Sequence, residues 1–162
     1  MLSQKLSLVI ALFIIPLALL AYFALTNSDW NLWGGKRELS KGQAIIRVKD
    51  FPVRVDVVVT ASEQQRGLSG RERLEADEGM LFWGEKPELR GIWMKDMRFP
   101  IDILWLSGDG VVVDISRNAL PESYPKVFYP RVPAVYVLEL SANFTELHSV
   151  SAGDVVTLPS DF

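Results

Sequence analysis

Two acidic residues, Asp102 and Glu139, lie in stretches of sequence that otherwise have the composition of a protein core. Asp102 falls inside the apolar part of residues 91–106, and Glu139 shares the face of the alternating stretch 134–140 with two valines. A buried carboxylate costs several kcal/mol unless it gains a cation or hydrogen-bond donors. Each acid therefore needs a partner or a function.

Two explanations of these acids stay open. In the structural one, they accept hydrogen bonds from loop amides or pair with an arginine and hold the loops in place. In the functional one, they belong to a polar pocket that binds or activates a ligand. The candidate ligand-binding residues are Arg66, Trp93, Lys95, Asp102 and Glu139.

Within this candidate site, we expect Asp102 to be the acid on which the site depends. Lys95 precedes it by seven residues, and a hairpin between residues 91–94 and 101–106 would bring the two side chains together. Arg66 stands at the end of a short predicted helix and is the second expected cation. Ligand sites in β-rich domains commonly form where strands end and loops converge.

Composition excludes several other chemistries. The chain has no cysteine and one histidine, so disulfides, thiolate metal sites, cysteine nucleophiles and multi-histidine metal sites are ruled out. The net charge is −3 and no run of lysine or arginine occurs, so the sequence lacks the basic patch of a nucleic-acid-binding protein. We expect no metal, no cofactor and no nucleic-acid partner.

Near the amino terminus, residues 6–25 form a stretch of 20 residues without a charge, 18 of them apolar. A helix of that length spans roughly 30 Å, the thickness of a bilayer's hydrocarbon core. Small residues are poorly placed for signal-peptide cleavage, which favours a retained anchor. The predicted organisation is a cytoplasmic n-region at 1–5, a transmembrane signal-anchor at 6–25, a linker at 26–42 and an extracytoplasmic globular domain at 43–162.

Beyond the linker, apolar residues recur mostly at every second position, which indicates half-buried strands. Ser-Gly-Asp-Gly at residues 107–110 predicts a hairpin turn. Two short helices are expected, one capped by Ser62 and ended by Gly67, the other capped by Asn143. The predicted fold is all-β, a sandwich or barrel of about eight strands. The strands are expected at residues 44–48, 53–60, 79–83, 91–94, 101–106, 111–115, 134–140 and 155–158.

Six short motifs occur in the order typical of domain-of-unknown-function family 192, which the sequence resembles over residues 45–158. The resemblance implies a compact β-rich, jelly-roll-like fold and no established activity; members of that family are uncharacterised bacterial and archaeal proteins, often secreted or membrane-anchored. The motifs are Arg66-Gly67-Leu68, Glu78-Gly79-Met80-Leu81-Phe82, Trp93-Met94-Lys95-Asp96-Met97, Pro100-Ile101-Asp102, Val137-Leu138-Glu139 and Gly153-Asp154.

These observations favour a membrane-tethered extracytoplasmic domain that binds a small polar ligand or an envelope protein. A hydrolase that uses Asp102 and Glu139 as an acid/base pair is the alternative from another class. A structural accessory subunit is the third hypothesis. An acid/base pair must lie within several ångströms in one cleft, so the positions of the two carboxylates distinguish the first two hypotheses.

Overall fold

The computed structural model of the protein describes Ser40 and residues 42–158. The predicted n-region and signal-anchor at residues 1–25, and most of the linker, lie outside the described residues. Within the described residues, no helix is long and apolar enough to cross a membrane.

The all-β prediction is confirmed, with nine strands and two short helices in the described part of the chain. Helix α1 spans Ala61–Arg66, helix α2 spans Phe144–Leu147, and a single 3-10 turn spans Pro121–Ser123. The strands are β1 (Gln43–Val48), β2 (Phe51–Val58), β3 (Glu78–Phe82), β4 (Ile92–Trp93), β5 (Ile101–Leu106), β6 (Val112–Ala119), β7 (Val127–Phe128), β8 (Tyr136–Ser141) and β9 (Val156–Thr157).

Seven of these strands form one sheet in the order β6-β5-β8-β3-β2-β1-β9. All neighbouring strands are antiparallel except β2 and β3, which are parallel. A parallel pair needs a crossover connection, which here consists of α1 and residues 67–77. Strands β4 and β7 form a separate two-stranded sheet.

The large sheet curls until its two edges meet. Val111, just before β6, forms a β-bridge with Val155, just before β9. The Val156 amide donates to the Gly110 carbonyl at 2.8 Å. Gly110 has a φ of +78°, and a Cβ at this position would overlap the Val156 carbonyl oxygen, so a glycine is required there. Of the two predicted architectures, the sheet thus has the curvature of a barrel.

The central strands β5, β8 and β3 are buried on both faces, each face in its own hydrophobic core. The core inside the curl contains Leu104 and Leu106 of β5 together with Leu138 and Leu140 of β8. The outer core contains the alternate residues of the same strands, and it is covered by β4 and by the segment that follows α1. Side chains that are adjacent in sequence therefore enter different cores.

Asp102 points into the inner core, where its carboxylate replaces the predicted cap of helix α2. It accepts hydrogen bonds from the Asn118 amide at 2.8 Å, the Thr145 amide at 2.9 Å and the Thr145 hydroxyl at 2.6 Å. The prediction that Asn143 caps this helix is wrong: Asn143 has a left-handed φ of +67°, and its side chain makes no capping hydrogen bond. Asp102 thus joins β5 to the end of β6 and to α2.

We predict that Asp102→Asn lowers the free energy of unfolding by about 2–4 kcal/mol, because an NH2 group replaces one of the two accepting oxygens and then faces a hydrogen-bond donor. Asp109→Asn, in the exposed hairpin turn, should stay within about 0.5 kcal/mol of wild type. Urea unfolding of both variants measures the difference. Equal stability of the two variants would show that Asp102 does not hold these elements together.

Candidate functional site

A cavity of about 60 Å³ lies between the outer face of the sheet and the segments that cover it. Three of the five predicted site residues, Arg66, Trp93 and Glu139, line this cavity. Its walls also include apolar side chains from the segment that follows α1, from β3, from β4 and from the turn that follows β4. These apolar residues are Leu68, Phe82, Ile92 and Met97.

Helix α1 places Arg66 at the cavity. The helix begins with a capping box in which the Thr60 hydroxyl accepts from the Glu63 amide and the Glu63 carboxylate accepts from the Thr60 amide. The predicted cap, Ser62, is already inside the helix, so the helix begins earlier than expected. The predicted end at Gly67 is confirmed; its φ of +51° stops the helix and turns the chain along the cavity wall.

Gln64 fixes α1 against the sheet. Its side-chain amide donates to the carbonyl oxygens of Val58 at 3.1 Å and Trp83 at 2.8 Å. These two hydrogen bonds connect the helix to the last residue of β2 and to the residue after β3. Sequence reasoning did not single out Gln64, because a glutamine in a short helix has no distinctive spacing.

Trp93 lines the cavity, and Lys95, which is not part of the lining, lies beside its ring. Trp93 of β4 is 43% exposed, and the Lys95 ammonium lies 5.9 Å from the centre of its ring. Strand β4 pairs with β7 and not with β5. The expected hairpin that would bring Lys95 to Asp102 is therefore absent, and that part of the prediction is wrong.

Glu139 lies at the floor of the cavity, in a strongly apolar setting. Its neighbours on the adjacent strands are Met80 of β3 and Ile103 of β5, and only 4% of its surface is exposed. Burial raises the pKa of Glu139 to about 8, against a smaller opposing effect of Arg71. The group is therefore mostly a neutral acid at pH 7.

The Glu139 carboxyl receives no hydrogen bond from any described residue. Among the described residues, no side-chain polar atom that is sealed from solvent lacks a partner. The carboxyl oxygens of Glu139 therefore face the cavity instead of being sealed in the core. Such a group can donate or accept a hydrogen bond only to something inside the cavity.

Asp102 and Glu139 do not share a cleft. In the register of β5 and β8, Asp102 is opposite Leu140 and Ile103 is opposite Glu139. Directly opposed residues project from the same face, so the two carboxylates project from opposite faces of the sheet. The geometry does not support the expected acid/base pair, and Asp102 has backbone amides and a hydroxyl as partners instead of Lys95 or Arg66.

Arg66 has no ion-pair partner among the described residues, whereas most other arginines near this face are paired. Arg71 pairs with Asp56 at 2.5 Å, and Arg98 pairs with Glu72. In the described part of the chain, no cluster of three or more histidine, cysteine or acidic side chains has the arrangement of a metal site. Arg66 is thus available to an anion at the cavity.

Comparison with known proteins gives the class of this domain. The chain belongs to domain-of-unknown-function family 192, DUF192, described as an uncharacterised ACR, whose family model matches residues 44–158. The resemblance inferred from the sequence motifs is confirmed. A comparison with curated proteins gives no match.

Two solved structures are similar over most of the chain. A protein of Sinorhizobium meliloti 1021, described as a candidate transcription regulator, is 31% identical, with 74% of this chain and 95% of that chain covered and a TM-score of 0.68. A protein of unknown function from Novosphingobium aromaticivorans DSM 12444 is 27% identical, with 72% of this chain and 85% of that chain covered and a TM-score of 0.68. These likenesses support the fold and assign no activity.

We predict that Glu139→Gln becomes increasingly more stable than wild type as the pH rises from 5 to 8. The pKa of Glu139 is raised from 4.5 to about 8, so in this range the native chain keeps a proton that the unfolded chain has lost. The free energy of unfolding of wild type then falls as pH rises, and glutamine removes this loss, by about 2–4 kcal/mol over the range. Urea unfolding of wild type and Glu139→Gln at pH 5 and at pH 8 measures this difference in the free energy of unfolding.

Glu122→Gln is the control for this experiment, because Glu122 is exposed in the 3-10 turn. The difference in free energy of unfolding between Glu122→Gln and wild type should be the same at pH 5 and at pH 8. A Glu139→Gln variant that behaves in the same way would contradict a buried, neutral Glu139.

Proposed function

We propose that this domain binds a small polar molecule in the cavity between Arg66, Trp93 and Glu139. The observation that carries the proposal is the Glu139 carboxyl, which is almost fully buried, faces the cavity and has no hydrogen-bond partner among the described residues. A leucine there would continue the apolar row of Met80 and Ile103 at no desolvation cost. An acid in this place lowers stability unless a bound molecule uses it.

The cavity volume limits the size of the bound molecule. At about 60 Å³, it has room for roughly four to six water-sized groups, since a cavity needs about 10–15 Å³ for each. A small metabolite or the end of a larger one fits this volume. The exposed ring of Trp93 and the apolar wall at Phe82 offer contact area for its carbon atoms.

Binding is favoured over hydrolysis because the second carboxylate of the proposed pair, Asp102, is completely buried on the other face of the sheet, where it accepts three hydrogen bonds. The regulator description of the Sinorhizobium meliloti protein is not carried over to this chain. With a net charge of −3 and no basic run, the sequence offers no surface for DNA phosphates. A structural accessory role predicts that no small molecule binds.

The membrane-tethered, extracytoplasmic location is part of the proposal. It is supported by the uncharged stretch at residues 6–25, whose length matches a bilayer. In this arrangement the cavity samples small molecules outside the cytoplasm, or an envelope protein delivers them.

We predict that small polar compounds of about six non-hydrogen atoms or fewer raise the melting temperature of the full-length chain in detergent. Glu139→Leu should abolish the increase without lowering the melting temperature of the unliganded protein, because leucine fits the apolar row. Glu122→Gln should respond like wild type. If no compound in a panel of acids, amides, alcohols and amines shifts wild type, the accessory role is favoured over ligand binding.

The location is tested separately. A reporter enzyme fused after Phe162 should be active only when exported, and the chain should remain in the membrane fraction after a carbonate wash. Activity of a cytoplasm-specific reporter would contradict the orientation. A released form that begins after Ala24 would show a cleaved signal peptide instead of an anchor.

A further inference from the structure

The mouth of the cavity carries positive charge that is free to meet a ligand. Arg66 has no ion-pair partner among the described residues, and Lys95 lies over the Trp93 ring. The acid nearest along α1, Glu63, is engaged in the capping box with Thr60, and Arg66 attracts it only through a weaker charge interaction without an ion pair. An anion that approaches the mouth is therefore attracted, and a cation is repelled.

The floor of the cavity, in contrast to its mouth, carries no positive charge from the described residues: it holds one acid, Glu139, in apolar surroundings. Of the elements packed around Glu139, β3 and β5 contribute Met80 and Ile103, and β4 contributes Trp93 with Lys95 beyond it. Of the other charged groups on these elements, only Arg66 lines the cavity, and the rest are paired or project elsewhere. These charged groups are Arg66 on α1, Arg71 after α1, which pairs with Asp56, Glu78 on β3, which pairs with Arg54, and Asp102 on the far face of β5.

A neutral carboxylic acid donates one hydrogen bond and accepts others. With the pKa of Glu139 raised to about 8, the acid form is the main one at neutral pH. A ligand oxygen, from a hydroxyl, a carbonyl or a carboxylate, can accept this proton. A protonated amine can only donate, so it would leave the proton of the neutral acid without an acceptor, and it would have to pass the cationic mouth.

We propose that the cavity binds a small organic carboxylate, with the carboxylate held by Arg66 at the mouth and a second oxygen hydrogen-bonded to the acid group of Glu139 at the floor. This inference rests on the proposed function and names its ligand class. The apolar wall of Phe82, Ile92 and Met97 favours an acid with a short carbon skeleton over inorganic phosphate. Arg66 supplies the forked donor geometry that carboxylates fit.

The test compares three probes of one carbon skeleton that differ in charge. Lactate is anionic, lactamide is neutral and 1-amino-2-propanol is cationic. NMR titrations of the full-length chain in detergent follow the amides of Gly67, Ser69 and Gly91, which line the cavity. At pH 6, lactate should give saturable shifts with a Kd at least tenfold below those of the other two probes. At pH 9 its Kd should rise about tenfold, because Glu139 is then mostly ionised.

Three variants and one control separate the contribution of Arg66 to lactate binding from that of Glu139. Arg66→Gln should weaken lactate binding at least tenfold, whereas Arg73→Gln, which removes the same charge at an exposed position outside the cavity, should not change it. Glu139→Gln keeps a hydrogen-bond donor but cannot ionise, so it should bind lactate with a Kd that is equal at pH 6 and pH 9. Glu139→Leu should not bind it.

The two proposals fail in different ways. If 1-amino-2-propanol or lactamide binds as tightly as lactate, and Glu139→Leu abolishes that binding, the cavity is a ligand site but not a carboxylate site. If lactate binds equally well to Arg66→Gln, the assignment of its carboxylate to Arg66 is wrong. If none of the three probes binds, the carboxylate proposal is overturned, and the wider compound panel decides whether the cavity binds ligands at all.

Discussion

The structure depends on one constraint: the central strands of a single curled sheet are buried on both faces. All six residues of β5 are buried, and four of the six residues of β8 are. A strand in this position has no solvent-facing side to which a polar residue can be assigned. Each polar side chain in these strands must therefore find partners inside the protein, or its burial lowers stability. The curl, the bridge at Val111 and Val155, and the segments that cover the outer face all serve to keep water from this sheet.

The two buried acids meet this constraint in opposite ways. Asp102 has three hydrogen-bond donors, two of them main-chain amides that would otherwise be unpaired, so its charge is balanced by fixed dipoles. Glu139 has none from the described residues, and it responds by holding its proton. The first arrangement leaves no capacity for a ligand. The second leaves a donor and an acceptor unused at the wall of a cavity, which is why we assign the site to Glu139 and not to Asp102.

Much of this could be predicted from the sequence. The unusual burial of both acids and the hairpin at residues 107–110 followed from residue types and spacing. The face of the sheet on which each acid lies could not be predicted. A continuous apolar run without alternation does not show which of its residues project from which face. That choice is fixed by the register between β5 and β8, a contact between distant parts of the chain. Strand β7 has only two residues, which are too few for a recognisable pattern. Because β4 pairs with β7, it does not form the hairpin that was expected with β5.

The location of the cavity follows from how each core is closed. The inner core is enclosed by strands that are hydrogen-bonded to one another around the curl, so a gap there would break a ladder of main-chain bonds. The outer core is covered by a six-residue helix, a two-stranded sheet and turns, which are held by scattered contacts such as those of Gln64. Such a cover can leave a gap above one residue without disturbing the sheet. An acid on the inner face becomes part of the framework, while an acid on the outer face can meet a small molecule.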